Sequence, residues 1–248
     1  MSLSAATAAL PERIGPAAAS QPPVDVRRRL EPPARSERLN RALNVVLSCV
    51  ILLLLSPLLL LIGLAVWYAS PGPVLYTQIR VGHDRRRTRR GPQRYDRRVH
   101  DLGGKVFTIY KFRSMRADAE TGTGIVWATE DDTRVTPLGR ILRRGRLDEL
   151  PQLFNVVRGD MNLVGPRPER PSIFQWLRRT IPEYACRQLA KPGITGWAQV
   201  NQSYDVTIDD VRTKVGYDLE YIQHQSLFAD IRILLRTIPV VLLQRGGW

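Results

Sequence analysis

The sequence predicts an α+β protein, mostly helical, in which a broken apolar helix is joined to an arginine-rich body carrying a small β element. Three observations predict this. Residues 42–79 contain no charge, and NVVLSCVILLLLSPLLLLIGLAVWY within them would form a helix of about 24 residues and ~36 Å, enough to cross a bilayer. Ser56-Pro57 interrupts that run near its middle, where proline removes a backbone N–H and serine can hydrogen-bond a freed carbonyl. Beyond it, short strand-like and helix-like stretches follow one another, in a chain with 37 Lys+Arg against 23 Asp+Glu.

The formal net charge of +14 over 248 residues is nearly all arginine. It implies an anionic partner: phospholipid headgroups, nucleic acid or phosphorylated substrates. Cys49 lies inside the apolar run and Cys186 is its sole companion, so a disulfide framework is not expected and a reducing compartment is. His83, His100 and His224 lack metal-ligand spacing, and neither CxxC nor HExxH occurs, which argues against zinc chemistry.

Residues 1–36 are Ala/Pro-rich without apolar periodicity and read as a disordered tail, not a signal peptide. The apolar segment follows. Arg27, Arg28, Arg29, Arg35, Arg38 and Arg41 precede it; Arg80, Arg85, Arg86, Arg87, Arg89 and Arg90 follow it. Arginines near membrane segments mark the cytoplasmic side, so both flanks ask to be cytoplasmic. A helix broken at Ser56-Pro57 that enters and leaves one leaflet satisfies that, and the re-entrant reading is favoured over a spanning one.

After Pro71-Gly72-Pro73, Val74 to Ile79 reads as a strand. Residues 84–101 form an arginine-rich insert, read as lipid headgroup contact ahead of a plain solvated loop. Gly104 to Met115 alternates as a half-buried strand, with Lys111 and Arg113 on one side by period two. The acidic stretch 117–133 reads as a loop. Thr136-Pro137 reads as N-cap and first residue of a helix, on which Arg140, Arg143 and Arg144 share a face. If that helix runs on through Gly145, Asp148 joins the same face.

Residues 146–168, RLDELPQLFNVVRGDMNLVGPRP, hold the chemistry. Leu147, Leu150, Phe154 and Val157 would bury one side of a short helix, with Pro151 in its first turn. Asp148 and Glu149 then stand at a helix N-terminus, where acids are favoured as caps and by the helix dipole. On spacing alone the cap is the stronger explanation. Three things favour function: two acids exceed what one cap needs, helix N-termini suit phosphate, and nearby arginines would keep both carboxylates ionised. Pro166 and Pro168 fix the backbone around Arg167, which suits a diphosphate clamp or a rigid turn.

Farther on, PSIFQWLRRTI (171–181) reads as an amphipathic helix with Ile173, Phe174, Trp176 and Leu177 toward core or lipid. KPGITGWAQV offers Lys191 and Gln199 as turn or ligand contacts. The last stretch places Leu227, Ile231, Leu234, Leu235, Ile238, Val241 and Leu242 on one face. It fits an interfacial helix or ordinary core equally, and Pro239 is expected to break or kink it.

KFRSM (111–115), DTRVTPLGRILRRGRLDELPQLFNVVRGDMNLVGPRPE (132–169), KPGITGWAQVN (191–201) and the Asp218…Tyr221…Ser226…Asp230 spacing together resemble the bacterial sugar transferase family. These are the monotopic polyprenyl-phosphate phosphoglycosyltransferases that start surface glycan assembly. The resemblance runs from about Arg38 to the C-terminus. It implies a re-entrant membrane helix over 37–69, broken at Ser56 and Pro57, and a membrane-associated catalytic domain over 70–248 with amphipathic interfacial helices. It places the protein at the bacterial inner membrane with that domain on the cytoplasmic face.

The resemblance further implies a two-step exchange. Asp148 would attack the β-phosphate of a UDP-sugar, release UMP and form an aspartyl-phosphosugar. Polyprenyl (undecaprenyl) phosphate would then take the sugar phosphate. Glu149 would hold Mg²⁺; Lys111, Arg113, Arg144 and Arg167 would contact phosphate or nucleotide; Asp218 would be a supporting acid. No nucleic-acid partner is implied, and a homodimer is left open. The long insert at 84–101, Gly145-Arg146 in place of small polar residues, and the 1–36 tail depart from the pattern. A membrane-tethered nucleic-acid or scaffold protein and a metal-dependent phosphohydrolase are the alternatives.

Overall fold

The computed structural model describes residues 35–84, 103–116, 132–202 and 207–243, with Leu30, Pro32, Pro33 and Ala119. Most of the expected tail, most of the arginine-rich insert and nearly all of the acidic loop lie outside the described residues. The architecture is mixed: helices around two small two-stranded sheets.

The apolar run forms two helices, α1 (Glu37–Leu54) and α2 (Ser56–Ala69), bent by 64°. The break has a local cause. Pro57 has no N–H to offer the Leu53 carbonyl four residues back, and the Ser56 hydroxyl donates to that carbonyl instead (2.8 Å). Among the described residues no single helix is long and apolar enough to cross a membrane; the bent pair passes that test only jointly. The packing of α1 is inverted. Its buried residues are Asn44 and Ser48, while Val46, Val50, Leu53 and Leu54 are exposed.

Both arms of the bent pair are tied to the rest by polar contacts. On α1, Arg41 donates to the Val156 and Val157 carbonyls, and Asn44 Oδ1 accepts from Leu163 N–H (2.6 Å). At the end of α2, Arg113 donates to the carbonyls of Ser70 (2.6 Å) and Pro71 (2.8 Å) and more weakly to Val66 (3.4 Å). These are groups that a helix C-terminus leaves without intrahelical partners. Ile62 and Val66 of α2 pack with Phe112 and Leu142.

Strands β1 (Leu75–Val81) and β2 (Val106–Phe112) pair antiparallel, from Leu75 opposite Phe112 to Val81 opposite Val106. The expected strands are present, but the second ends before Arg113. Helix α3 (Pro137–Arg144) starts as expected, with Thr136 Oγ1 accepting from Gly139 N–H (2.9 Å). Gly139 lies against the Ser114 carbonyl; a Cβ there would come within 1.9 Å of the oxygen. That close approach seats α3 at the end of β2.

Helix α3 does not run on to Asp148. It stops at Arg144, and Arg146 takes a left-handed conformation (φ 52°, ψ 21°). A 3₁₀ turn, Leu147–Glu149, precedes α4 (Gln152–Arg158), which Gly159 closes at φ 96°. The buried face of α4 is Leu153 and Val156, not Phe154, which is exposed, or Val157. Asn155 is buried on that face as well. Its amide accepts from Tyr110 N–H (3.1 Å) and donates to the Thr108 carbonyl (2.7 Å), pinning α4 to β2. Losing it would strand buried backbone groups at about 1–3 kcal/mol each.

Strand β3 (Asn162–Val164) leads to α5 (Pro171–Thr180), a 3₁₀ segment (Pro182–Leu189) and β4 (Gly193–Thr195), which pairs parallel with β3. Short α6 (Trp197–Asn201) and long α7 (Ile208–His224) and α8 (Leu227–Leu242) complete the described chain. As expected, α5 buries Ile173, Phe174 and Leu177. They join Val211 and Val215 of α7 in one core cluster; Leu153, Val156, Met161, Leu163, Val164, Ile222 and Ile233 build another. Pro239 does not end α8. Leu227, Phe228, Ile231, Leu235 and Ile238 are exposed along it, while Leu234 packs beside buried Ile233 against the core, so the expected face is divided between core and surface.

Candidate active site

The left-handed turn at Arg146 reverses the chain after α3 and carries Asp148 and Glu149 inward on the 3₁₀ turn. Such a conformation costs a non-glycine residue about 1–2 kcal/mol. Both acids are nearly buried, at 7% and 6% exposure. Their surroundings differ. Glu149 Oε1 accepts from Lys111 Nζ on β2 (2.8 Å) and from Arg167 Nη2 (2.5 Å), while Oε2 accepts from Arg167 Nη1 (3.1 Å). The Arg167 fork is bidentate, the strong geometry for guanidinium and carboxylate. No hydrogen bond holds the Asp148 carboxylate among the described residues; Lys111, Arg143 and Arg167 act on it through space.

The two acids therefore titrate apart. Burial pushes Asp148 up to about 6, with Lys111 opposing and the Glu149 charge adding to the rise. Burial would also raise Glu149, but Arg167 and Lys111 outweigh it and hold this carboxyl well below its ordinary range. The cations therefore act on both acids but unequally: those in contact with Glu149 hold it ionised throughout, while Asp148, which they reach only through space, ionises above about 6. Burial also lowers Lys111, with Glu149 pulling the other way.

The other candidates separate. Lys111 and Arg167 converge on the acid pair. Arg113 is turned toward the end of α2 because β2 has already ended at Phe112. Arg144 is on the exposed side of α3. Arg143, which helical spacing placed on the Asp148 face but which was not among the expected phosphate contacts, is the α3 arginine whose charge reaches Asp148, and its Nε donates to Ser114 Oγ (2.9 Å). Asp218 is buried away from the pair and binds Arg187 (2.6 Å). Arg187 was missed as well. A signal existed: Val211, Val215, Asp218 and Ile222 share one helical stripe, and an acid in such a stripe needs a buried partner. Gln199 closes its own turn on the Ile194 carbonyl (2.9 Å). Ser56 and Pro57 make the helix break.

Among the described residues no group of three or more acids, histidines or cysteines forms a preassembled metal cage. The donors present do suit magnesium of the kind that arrives with a diphosphate, held by one or two carboxylates, phosphate oxygens and water. Glu149 is the ligand such an ion would use, since Oε2 accepts one hydrogen bond at 3.1 Å and keeps lone-pair capacity.

A buried, raised carboxyl stands beside a second carboxylate gripped by lysine and arginine, groups chemically suited to phosphate. Residues 35–244 match the family model described as bacterial sugar transferase, and the chain belongs to that family. It is 43% identical over 205 residues to a UDP-glucose:undecaprenyl-phosphate glucose-1-phosphate transferase of Caulobacter vibrioides, covering 82% of this chain and 69% of the relative. It is 39% identical over 209 residues to a UDP-N-acetylgalactosamine-undecaprenyl-phosphate N-acetylgalactosaminephosphotransferase of Aeromonas hydrophila, covering 84% of this chain and 45% of that protein. An Escherichia coli UDP-glucose:undecaprenyl-phosphate glucose-1-phosphate transferase is 42% identical over 202 residues, 81% of this chain and 39% of the relative. The chain thus spans less than half the length of two of these three relatives.

Proposed function

We propose that this chain transfers a sugar 1-phosphate from a UDP-sugar to polyprenyl phosphate through a covalent phosphosugar on Asp148. The observation that carries the reading is the division of labour in the acid pair. Asp148 is buried without a hydrogen-bond partner among the described residues, while its neighbour Glu149 is held in ionised form by Lys111 and Arg167. A carboxylate without strong partners keeps its nucleophilicity, and cations already gathered beside it fit a diphosphate.

In the first step a carboxylate oxygen of Asp148 attacks the β-phosphorus. The bond from that phosphorus to the bridging oxygen breaks, and UMP leaves with the electron pair. In the second step a phosphate oxygen of the polyprenyl acceptor attacks the same phosphorus and expels Asp148. No proton transfer is needed, so alignment and charge neutralisation carry the catalysis. Lys111 and Arg167 neutralise phosphate oxygens, and Arg143 favours the ionised form of Asp148. Mg²⁺ at Glu149 would add neutralisation at the leaving phosphate.

The inverted burial of α1 supports a lipid setting: a helix that buries Asn44 and Ser48 and exposes leucine faces an apolar solvent. The bent pair then enters and leaves one leaflet of the bacterial inner membrane, with the body on the cytoplasmic face. The exposed apolar side of α8 lies in the interface plane, while its Arg232 and Arg236 stack on Trp197 (5.5 and 4.9 Å). A lipid acceptor presents its phosphate at that depth.

The relatives are named for different sugars, so the test offers both UDP-glucose and UDP-N-acetylgalactosamine to the protein in bilayers. UMP release should require polyprenyl phosphate for turnover and should yield a lipid-linked diphosphate sugar. Release of free sugar phosphate without acceptor would favour a phosphohydrolase instead. The acid limb gives a second check. kcat/KM should rise with pH through about 6 as Asp148 ionises, and Arg143→Met should move that limb upward, because a charge favouring the carboxylate is lost. A limb in the ordinary carboxylate range, unmoved by Arg143→Met, would contradict Asp148 as the reacting group.

A further inference from the structure

Four consecutive carbonyls in the loop that carries Arg167 are held by three other parts of the chain. The Pro166 carbonyl accepts from Gly193 N–H (3.0 Å) and the Arg167 carbonyl from Arg187 Nη2 (3.0 Å). The Pro168 carbonyl accepts from Arg80 Nη1 (3.2 Å) and the Glu169 carbonyl from Val81 N–H (2.9 Å). The second of these belongs to the residue whose guanidinium grips Glu149. Proline fixes φ at 166 and 168, and preceding a proline restricts Arg167 to extended ψ. Within that restricted range the Arg167 carbonyl is held by the Arg187 hydrogen bond.

Arg187 is well placed for that. It is 2% exposed. Its other arms are fixed by Asp218 on Nε (2.6 Å) and by the Tyr184 hydroxyl on Nη1 (2.6 Å). Asp218 is 1% exposed and comes from α7, whereas Arg187 lies in the 3₁₀ segment. A planar guanidinium delivers three bonds in fixed directions; an ammonium group cannot reproduce that fork. Net stability is a poor account of such a pair, since buried ion pairs are often replaceable by apolar residues without loss.

We propose that Arg187 is a positioning residue: anchored by Asp218 and Tyr184, it fixes the Arg167 carbonyl so that the Arg167 guanidinium stays aimed at Glu149 and at the donor's diphosphate. The inference rests on the transferase reading above for its consequence in catalysis. Its geometric part stands apart from it.

The test is a double-mutant cycle in the full chain. Arg187→Lys retains the charge and should lower kcat/KM by about 10- to 100-fold, the scale of a clamp displaced by about 1 Å. In an Arg167→Ala background the same change should cost less than about 2-fold, because Arg187 then has no clamp to aim. An equal loss in both backgrounds would overturn the proposal and leave Arg187 as ordinary core. If Arg187→Lys does not fold, Arg187→Gln combined with Asp218→Asn removes both charges together and leaves no unpaired buried charge, and the same cycle is read. Hydrogen exchange over residues 162–170 gives a readout free of substrate. It should quicken in the variant while α7 is unchanged; unchanged exchange in 162–170 would refute the positioning role. If the unaltered protein transfers nothing, that failure belongs to the functional reading, and the exchange result still decides Arg187.

Discussion

Asp148→Asn is expected to lower UMP release at least about 10³-fold, the scale for loss of a covalent nucleophile. The substitution is nearly isosteric. It removes a buried carboxyl that has no hydrogen-bond partner among the described residues, so the fold should survive and melting should shift little. That separation is what makes the variant informative. With acceptor withheld, the unaltered protein should carry one phosphosugar mass on the peptide containing Asp148, and the variant none. Residual turnover within tenfold of the starting protein would remove Asp148 from the chemistry. Glu149→Gln should differ in kind: it leaves Lys111 and Arg167 near each other without a shared carboxylate, so stability should fall along with rate.

The second large effect is expected at the helix break. Ser56→Leu with Pro57→Leu restores the missing N–H and removes the hydroxyl that serves Leu53. A proline inside a helix costs about 3 kcal/mol or more, so an unbroken helix gains by that amount. A continuous helix over residues 37–69 would run ~50 Å, and α2 would leave Phe112 and Leu142, where Ile62 and Val66 now pack. In lipid, apolar packing of that kind has little driving force to hold the bend. Arg113 would lose the Ser70 and Pro71 carbonyls. The double variant should stay in the membrane fraction yet lose at least about tenfold in transfer, since the proposed site would no longer sit at the acceptor's phosphate. Transfer at the original rate would show that the bend is dispensable.

Much of this was legible wherever a local rule decides. Thr136-Pro137 marks a helix start by capping and a fixed φ, and Ser56-Pro57 bends the chain where the serine hydroxyl serves the freed carbonyl, whereas Pro239 leaves α8 continuous. The acid pair and Arg167 were legible through the motif that contains them. The misreadings share a cause: periodicity was counted across a point where the chain changes conformation. Arg146 turns left-handed, so Leu147 belongs to a different turn from α4, and the buried stripe falls on Leu153 and Val156 instead of Phe154 and Val157. Likewise β2 ends at Phe112, so the side shared by Lys111 and Arg113 does not survive one residue further. Arg187 was hidden for another reason. Its importance comes from three partners, Tyr184, Asp218 and Arg167, and two of them are brought to it only by folding.

Helix α4 links the acid-bearing turn at one end to Arg41 of α1 at the other. At seven residues it is a strut of only ~10 Å. A strut that short leaves little slack between the apolar helix and the Asp148 carboxylate. On the proposed membrane placement, the acceptor would be sought in a thin sheet, and its effective concentration would be set by its density per unit of membrane area. Acceptors shortened until they leave the bilayer should lose rate out of proportion to any contact they give up, because what vanishes is confinement.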